Sequence, residues 1–192
     1  GEHGYPGEWL HVYNVCNDTK KDDVRAKLGI SNPITFRYSV EAYWVKDADA
    51  VFQEEYEDKK TGEKKVREKK DNTNCHMVIV ARTYNAMRKL NYILSCAHDT
   101  GFYYKPRIDL KSLFTLNKDE VYITSACIAG WKYEDATEVW LKIWQHFGDS
   151  FFLEYQTHNT PEQKALNKKI YEISKTFGIQ TIIGLDTHYI NE

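Results

Sequence analysis

The sequence predicts an α/β fold in which a mostly parallel sheet or barrel carries helices on its outside. Three observations lead there. From residue 76 onward, short apolar runs of strand length alternate with segments whose apolar residues recur at helical spacing. Each helical segment stops at or near a glycine. Repeated strand–helix–strand units of this size are the pattern of parallel strands joined by crossover helices. At 192 residues, 42% hydrophobic and 28% charged, the chain is long enough for one domain (1–192) with a substantial core.

Taken in order, residues 6–16 read as a helix burying Trp9, Val12 and Val15, and "ITFRYSVEAYWV" (34–45) reads as a strand. Residues 54–71, "EEYEDKKTGEKKVREKKD", hold seven acids and seven bases and offer no apolar stripe to bury. They predict an exposed, dispensable loop or hairpin turning around Thr61-Gly62. A basic arm touching DNA is the alternative, with the acids largely cancelling its field. "HMVIVA" (76–81) is the next strand, followed by a helix with Met87, Leu90, Leu94 and Ala97 on one stripe and Gly101 beyond it. "VYITSA" (121–126) is a strand. Ala136, Val139, Trp140, Ile143, Trp144 and Phe147 then mark a helix ended by Gly148, and "SFFLEY" (150–155) is again strand-like.

The last helix has the clearest start. Thr160 and Gln163 fit a capping box, with Pro161 at the first helical position. Leu166, Ile170, Ile173 and Phe177 form its stripe, and Gly178 fits a C-cap. The strand "IIGL" (182–185) follows and ends in Asp186 and His188. Two residues apart on a strand, their side chains share a face.

A net charge of −2 gives no general reason to bind nucleic acid, so any such binding must be local. No apolar run approaches a membrane span, and no signal-peptide pattern is visible. The four cysteines are scattered without a CxxC pair, which argues against a disulfide framework or zinc ribbon and for a reduced, cytoplasmic protein.

Residues that ligate metals recur at strand ends: His3, His76, Cys127, Asp186 and His188, with Glu41 inside the 34–45 strand. Imidazole, carboxylate and thiolate together suit zinc, or manganese and iron where oxygen dominates. Cys75 neighbours His76, but adjacent strand residues face opposite ways. Glu41 is the oddest member, because a carboxylate in an apolar strand needs a partner or a cation.

The stretches "EHG" (2–4), "YSVEAYW" (38–44), "HMVIVAR" (76–82), "GFYYKPRIDLKSL" (101–113), "SACIAG" (125–130), "FFLEYQTHNTPEQKALNKKI" (151–170) and "LDTHYIN" (185–191) carry a resemblance. In this order they closely resemble the polymerase-and-histidinol-phosphatase (PHP) domain of bacterial DNA polymerase III alpha subunits. The resemblance implies a distorted seven-stranded (β/α) barrel gathering up to three divalent ions at its C-terminal face. It implies His3, Glu41, His76, Cys127, Asp186 and His188 as ligands, converging on one cleft. The polymerase branch often carries cysteine where phosphatases carry histidine, as at Cys127. Two departures stand out. Glu2 occupies the place of an aspartate, and the family's first strand, with its His-x-His, belongs upstream of Gly1. The resemblance therefore implies an N-terminally truncated piece with an incomplete barrel, poor metal binding and no useful hydrolysis by itself. Any ion it keeps is expected among Glu41, His76 and Cys127, the subset needing nothing from upstream.

"KPR" adds Arg107, either a phosphate contact or a salt bridge to Asp109 or Glu154. His158 and Asn159 either reach the site or belong to the loop before the last helix. Three functions follow from the resemblance. The first is a polymerase module for metal-dependent 3′–5′ phosphodiester hydrolysis. The second is a non-catalytic scaffold for the polymerase body, and the third a stand-alone phosphoesterase. The partners implied are the remainder of the alpha subunit, DNA through it, and proofreading or clamp proteins, with no membrane.

Overall fold

The computed structural model describes residues 2–3 and 9–186, with side chains from residue 10 onward. The chain begins with β1 (Glu2–His3), α1 (Trp9–Asp18), α2 (Asp22–Leu28) and β2 (Ser39–Val45). A hairpin follows, β3 (Val51–Glu57) and β4 (Lys64–Lys70), then β5 (Cys75–Ala81) and α3 (Tyr84–Asp99). Next come β6 (Phe102–Tyr103), β7 (Lys105–Asp109), α4 (Leu110–Leu113) and β8 (Val121–Thr124). The order closes with α5 (Ala136–Phe147), β9 (Phe151–Gln156), α6 (Pro161–Phe177) and β10 (Thr181–Gly184).

One sheet runs in the order β10-β9-β8-β5-β2-β7-β6, with β1 added beside β2. Its ladders make β1, β2, β7, β8, β9 and β10 point one way, and β5 and β6 the other. The reversal of β5 has a simple cause. No crossover helix lies between β2 and β5; the chain leaves at Val45, makes the β3–β4 hairpin and returns beside Trp44 at Cys75. A return to the same end can only be antiparallel. The fold is a mixed α/β sheet with helices. Among the described residues no ladder joins β10 to β6, so the sheet stays open and no closed barrel is present.

Alternation along the strands divides the sheet into two faces. Val40, Ala42, Trp44, Cys75, Met77, Ile79, Ile123 and Leu153 are buried in one core with Leu90 and Leu94 of α3, Trp140 and Ile143 of α5, and Ile170 of α6. Trp140 stacks on Phe151 at 5.6 Å and meets Trp44 edge-on at 5.2 Å. Glu41, Tyr43, His76 and Val78 occupy the opposite face, as their ladder positions require.

Helix α6 starts as its sequence predicts: Thr160 accepts from the Gln163 amide, Pro161 opens the helix and Gly178 closes it at φ +72°. The return bond of a capping box is not made, because the Gln163 side chain donates to Asn167. Phe177, expected in the buried stripe, is largely exposed. Helix α1 departs further. Val12 and Val15 are exposed, since no described element covers that side; the side chain of Trp9 lies outside the described set. Residues 34–38 do not join β2. Most of the charged run lies in a hairpin, β3 and β4, with Gly62 at φ +71° in its turn. Among the described residues no helix is long and apolar enough to cross a membrane.

Candidate metal centre

Because β5 runs against its neighbours, its first residues lie at the C-terminal ends of the parallel strands. That places His76 beside the residues that follow β8. Cys127 arrives there through a sharp departure from β8. Ala126 takes a left-handed backbone (φ +52°), which a β-carbon disfavours, and a 3-10 turn begins after Cys127. Thr124 Oγ1 accepts from the Ala126 amide at 3.2 Å and holds the turn. Gly130 completes it: a β-carbon there would lie 2.3 Å from the Ser125 carbonyl and 2.8 Å from that of His76.

One donor atom each from Glu41, His76 and Cys127 lies within 4.8 Å of the others. Glu41 Oε1 is 2.8 Å from His76 Nδ1 and 3.8 Å from Cys127 Sγ, and that sulfur is 3.4 Å from Nδ1. Glu41 is 7% exposed. Burial above all pushes the Cys127 thiol up to about 11; the Ala129 amide opposes this, and the Glu41 and Asp186 carboxylates add to it. A nitrogen, an oxygen and a sulfur donor crowded among carboxylates fit a divalent ion of the zinc type, whose charge would compensate the thiolate. Cys75 is on the other face, fully buried in the core.

The remaining predicted ligands are placed unequally. His3 lies in parallel register opposite Glu41, which fixes its backbone beside the centre. Asp186, just past β10 at φ +48°, acts on the Cys127 thiol and has Oδ2 3.9 Å from His158 Nε2. His188 lies outside the described residues. Arg107 is placed elsewhere. It is 1% exposed, and its guanidinium donates to the carbonyls of Gly101 (2.9 Å), Asp71 (2.6 Å) and Ala48 (3.0 Å). It ties three loops together, and among the described residues no salt bridge joins it to Asp109 or Glu154.

A buried carboxylate that the ligand pattern does not single out supports the centre. Glu154, 8% exposed, accepts from the Thr124 hydroxyl and, at 3.1 Å, from Gln156 Nε2. A β-carbon on Gly184 would collide with it, so the glycine lets β10 approach. The signal was present as an acid at an inward position of "FFLEYQ".

The PHP domain family model matches residues 2–158. The chain belongs to the PHP family. Among relatives of this PHP chain, the DNA polymerase III subunit alpha of Aquifex aeolicus is 34% identical over 129 residues, 63% of this chain and 11% of that protein. The Borreliella burgdorferi subunit is 31% identical over 124 residues, 60% of this chain and 11% of that protein. For the Deinococcus radiodurans subunit the figures are 30%, 125 residues, 61% and 9%. This PHP chain thus spans only 9–11% of the length of these curated relatives.

Proposed function

We propose that this chain is the PHP module of a bacterial replicative DNA polymerase III alpha subunit, with a metal centre for 3′–5′ phosphodiester hydrolysis. The observation that carries the hydrolytic part is the convergence of Glu41, His76 and Cys127 within 4.8 Å. The polymerase part is supported by the three relatives named above, each a DNA polymerase III subunit alpha. Glu41, His76 and Cys127 hold one divalent ion, zinc, manganese or iron, and His3, Asp186 and His188 complete the shell. Such an ion, when bound, supplies Lewis acidity toward a phosphate oxygen and activates water. The Glu41 hydrogen bond fixes the His76 ring. His158, half-exposed beside Asp186, is a proton carrier at the rim. The module works within the rest of the alpha subunit and reaches DNA and proofreading partners through it, in the cytoplasm.

A scaffold role is favoured by a different observation. Leu10, Val12, Tyr13 and Val15 of α1 are all exposed, a surface suited to packing against other parts of a polymerase. Metal counting by mass spectrometry separates the readings. Protein purified without chelator should hold about one ion per chain and lose it in Cys127→Ala. Release of 3′ nucleotides from single-stranded DNA with manganese or zinc should be slow in this chain and absent in Asp186→Ala. A folded protein holding no ion leaves the scaffold reading.

A further inference from the structure

The β3–β4 hairpin and the β6–β7 turn lie outside the metal centre, yet a line of side chains connects them to it. The His76 ring meets Tyr43 edge-on at 5.2 Å. Lys105 Nζ stands 5.3 Å from the centroid of the same Tyr43 ring. No carboxylate among the described residues pairs with this exposed lysine. Its neighbour Tyr104 is 71% exposed and adopts φ +60°. The one-residue reversal between β6 and β7 accounts for that backbone, but nothing in the turn calls for a bulky, exposed ring. Core packing does not explain the ring, which stands largely in solvent with the Tyr103 ring 4.7 Å away.

The base of the hairpin reaches the same turn: Arg107 donates to the carbonyl of Asp71, just past β4, and its guanidinium lies 5.4 Å from the centroid of the Tyr103 ring. Arg67 is the middle of a row, Lys65, Arg67 and Lys69, that alternation places on one face of β4. Two carboxylates face the row: Glu54 pairs with Arg67 and Lys69, and Asp58 with Lys65. With Lys105 the line carries four cations against two acids, although the chain as a whole is negative. A row of cations with an exposed aromatic ring at one end suits the phosphates and bases of an unpaired strand.

We propose that Lys105, Tyr104 and the Lys65–Arg67–Lys69 row form a track for single-stranded nucleic acid leading out of the metal centre. Lys105 takes a phosphate, Tyr104 stacks a base, and the hairpin cations hold the backbone beyond. The direction of the track rests on the hydrolytic reading above; its existence as a binding surface does not.

The test is fluorescence anisotropy of a labelled oligothymidylate in excess chelator, where binding is read without hydrolysis. Tyr104→Ala should weaken binding about ten-fold. Lys105→Ala should weaken it and flatten the dependence of log K on log salt by about 0.7. Lys105→Arg should bind like the parent chain, as should Lys142→Ala on the remote helix α5. Melting curves confirm that each variant is folded. A parent chain that ignores the oligonucleotide, or folded Tyr104→Ala and Lys105→Ala variants that bind it unchanged, overturns the track. The two readings fail separately. A chain that binds DNA through these residues but holds no ion supports the track and removes the hydrolytic reading. A chain that holds an ion and cleaves a small phosphodiester, with DNA affinity indifferent to both residues, removes the track alone.

Discussion

Glu41 and His76 meet on a diagonal. Across the β2–β5 ladder Glu41 is opposite Val78 and His76 is opposite Tyr43, yet His76 Nδ1 lies 2.8 Å from Glu41 Oε1. Diagonal neighbours on one face are within reach of long side chains, so two strands deliver two donors without a bulge in either. The sulfur comes from a third place, the turn after β8. The centre is therefore sensitive to that turn and robust to small changes in the ladder.

The two cysteines nearest the centre should behave oppositely toward metal. Burial pushes both thiols up to about 11, but Cys75 is in the core while Cys127 shares its face with Glu41 and His76. Titration with cobalt(II) should give a thiolate-to-cobalt charge-transfer band that Cys127→Ala abolishes. Cys75→Ala should keep the band and lose about 1 kcal/mol of stability as a small buried group is removed. A band that vanishes only with Cys75 would rule out the assigned ligand set.

Gly130→Ala should damage both the fold and the centre. The added methyl would meet two carbonyls, those of Ser125 and His76, and backbone cannot swing aside as a flexible side chain can. We expect a loss of about 2–3 kcal/mol in urea unfolding, with weakened metal uptake. Gly62→Ala, in the hairpin turn where nothing lies nearby, should leave metal uptake untouched and show only the modest strain of its positive φ.

The contrast between α6 and α1 shows where the sequence was legible. Helix α6 announces itself through local chemistry: Thr160, Pro161 and Gly178 each act within a turn of their own position. The apolar spacing of α1 is equally local, but whether anything covers Val12 and Val15 is a tertiary fact, and they are exposed. Helix α2 carries no apolar stripe because it buries nothing; Asp22 and Asp23 at its start and Gly29 at its end hold it. Period-two alternation gives the face of β5 but not its direction, which depends on the excursion between residues 45 and 75. Arg107 shows the same limit. Its residue type allows a phosphate contact or a salt bridge, whereas only the assembled loops supply the three carbonyls it binds. Glu41, His76 and Cys127 were recognisable through their family motifs, and their convergence needed the fold.

Replacing residues 52–69 with a short glycine linker should change the melting temperature by no more than a few degrees, about 0.5 kcal/mol. The β3–β4 pair forms its own two-stranded sheet, and both strands are largely exposed. The same deletion should weaken oligonucleotide binding, because it removes Lys65, Arg67 and Lys69. Loss of cooperative unfolding would show that the hairpin supports the core after all. Extending the deletion through Asp71 should be far more damaging.

Asp71 fastens the base of that hairpin to the core. Its carboxylate accepts from the Thr73 hydroxyl at 2.6 Å, the Thr73 amide at 2.9 Å and the Tyr133 phenol, while its carbonyl accepts from Arg107. Burial alone would raise its pKa, but the Thr73 and Tyr133 hydroxyls and the Thr73 amide outweigh burial and hold the carboxyl below its usual range. Tyr133 is shifted the other way: burial first, then the bond to Asp71, pushes its phenol up. The signs follow from proton linkage. The Asp71 contribution is complete above the ordinary carboxyl pKa of about 4 and is lost as pH falls through the depressed folded value. The Tyr133 contribution is complete below the ordinary phenol pKa of about 10 and is lost as pH rises through the raised one. Urea unfolding followed by tryptophan fluorescence across this range should therefore show a plateau with a falling limb at each end. Asp71→Asn should cost about 1–2 kcal/mol on the plateau and flatten the acid limb, because the charge that resists protonation is gone. Tyr133→Phe should flatten the alkaline limb instead. An acid limb equally steep in Asp71→Asn would assign the acid sensitivity to other carboxylates and leave this latch without a role in it.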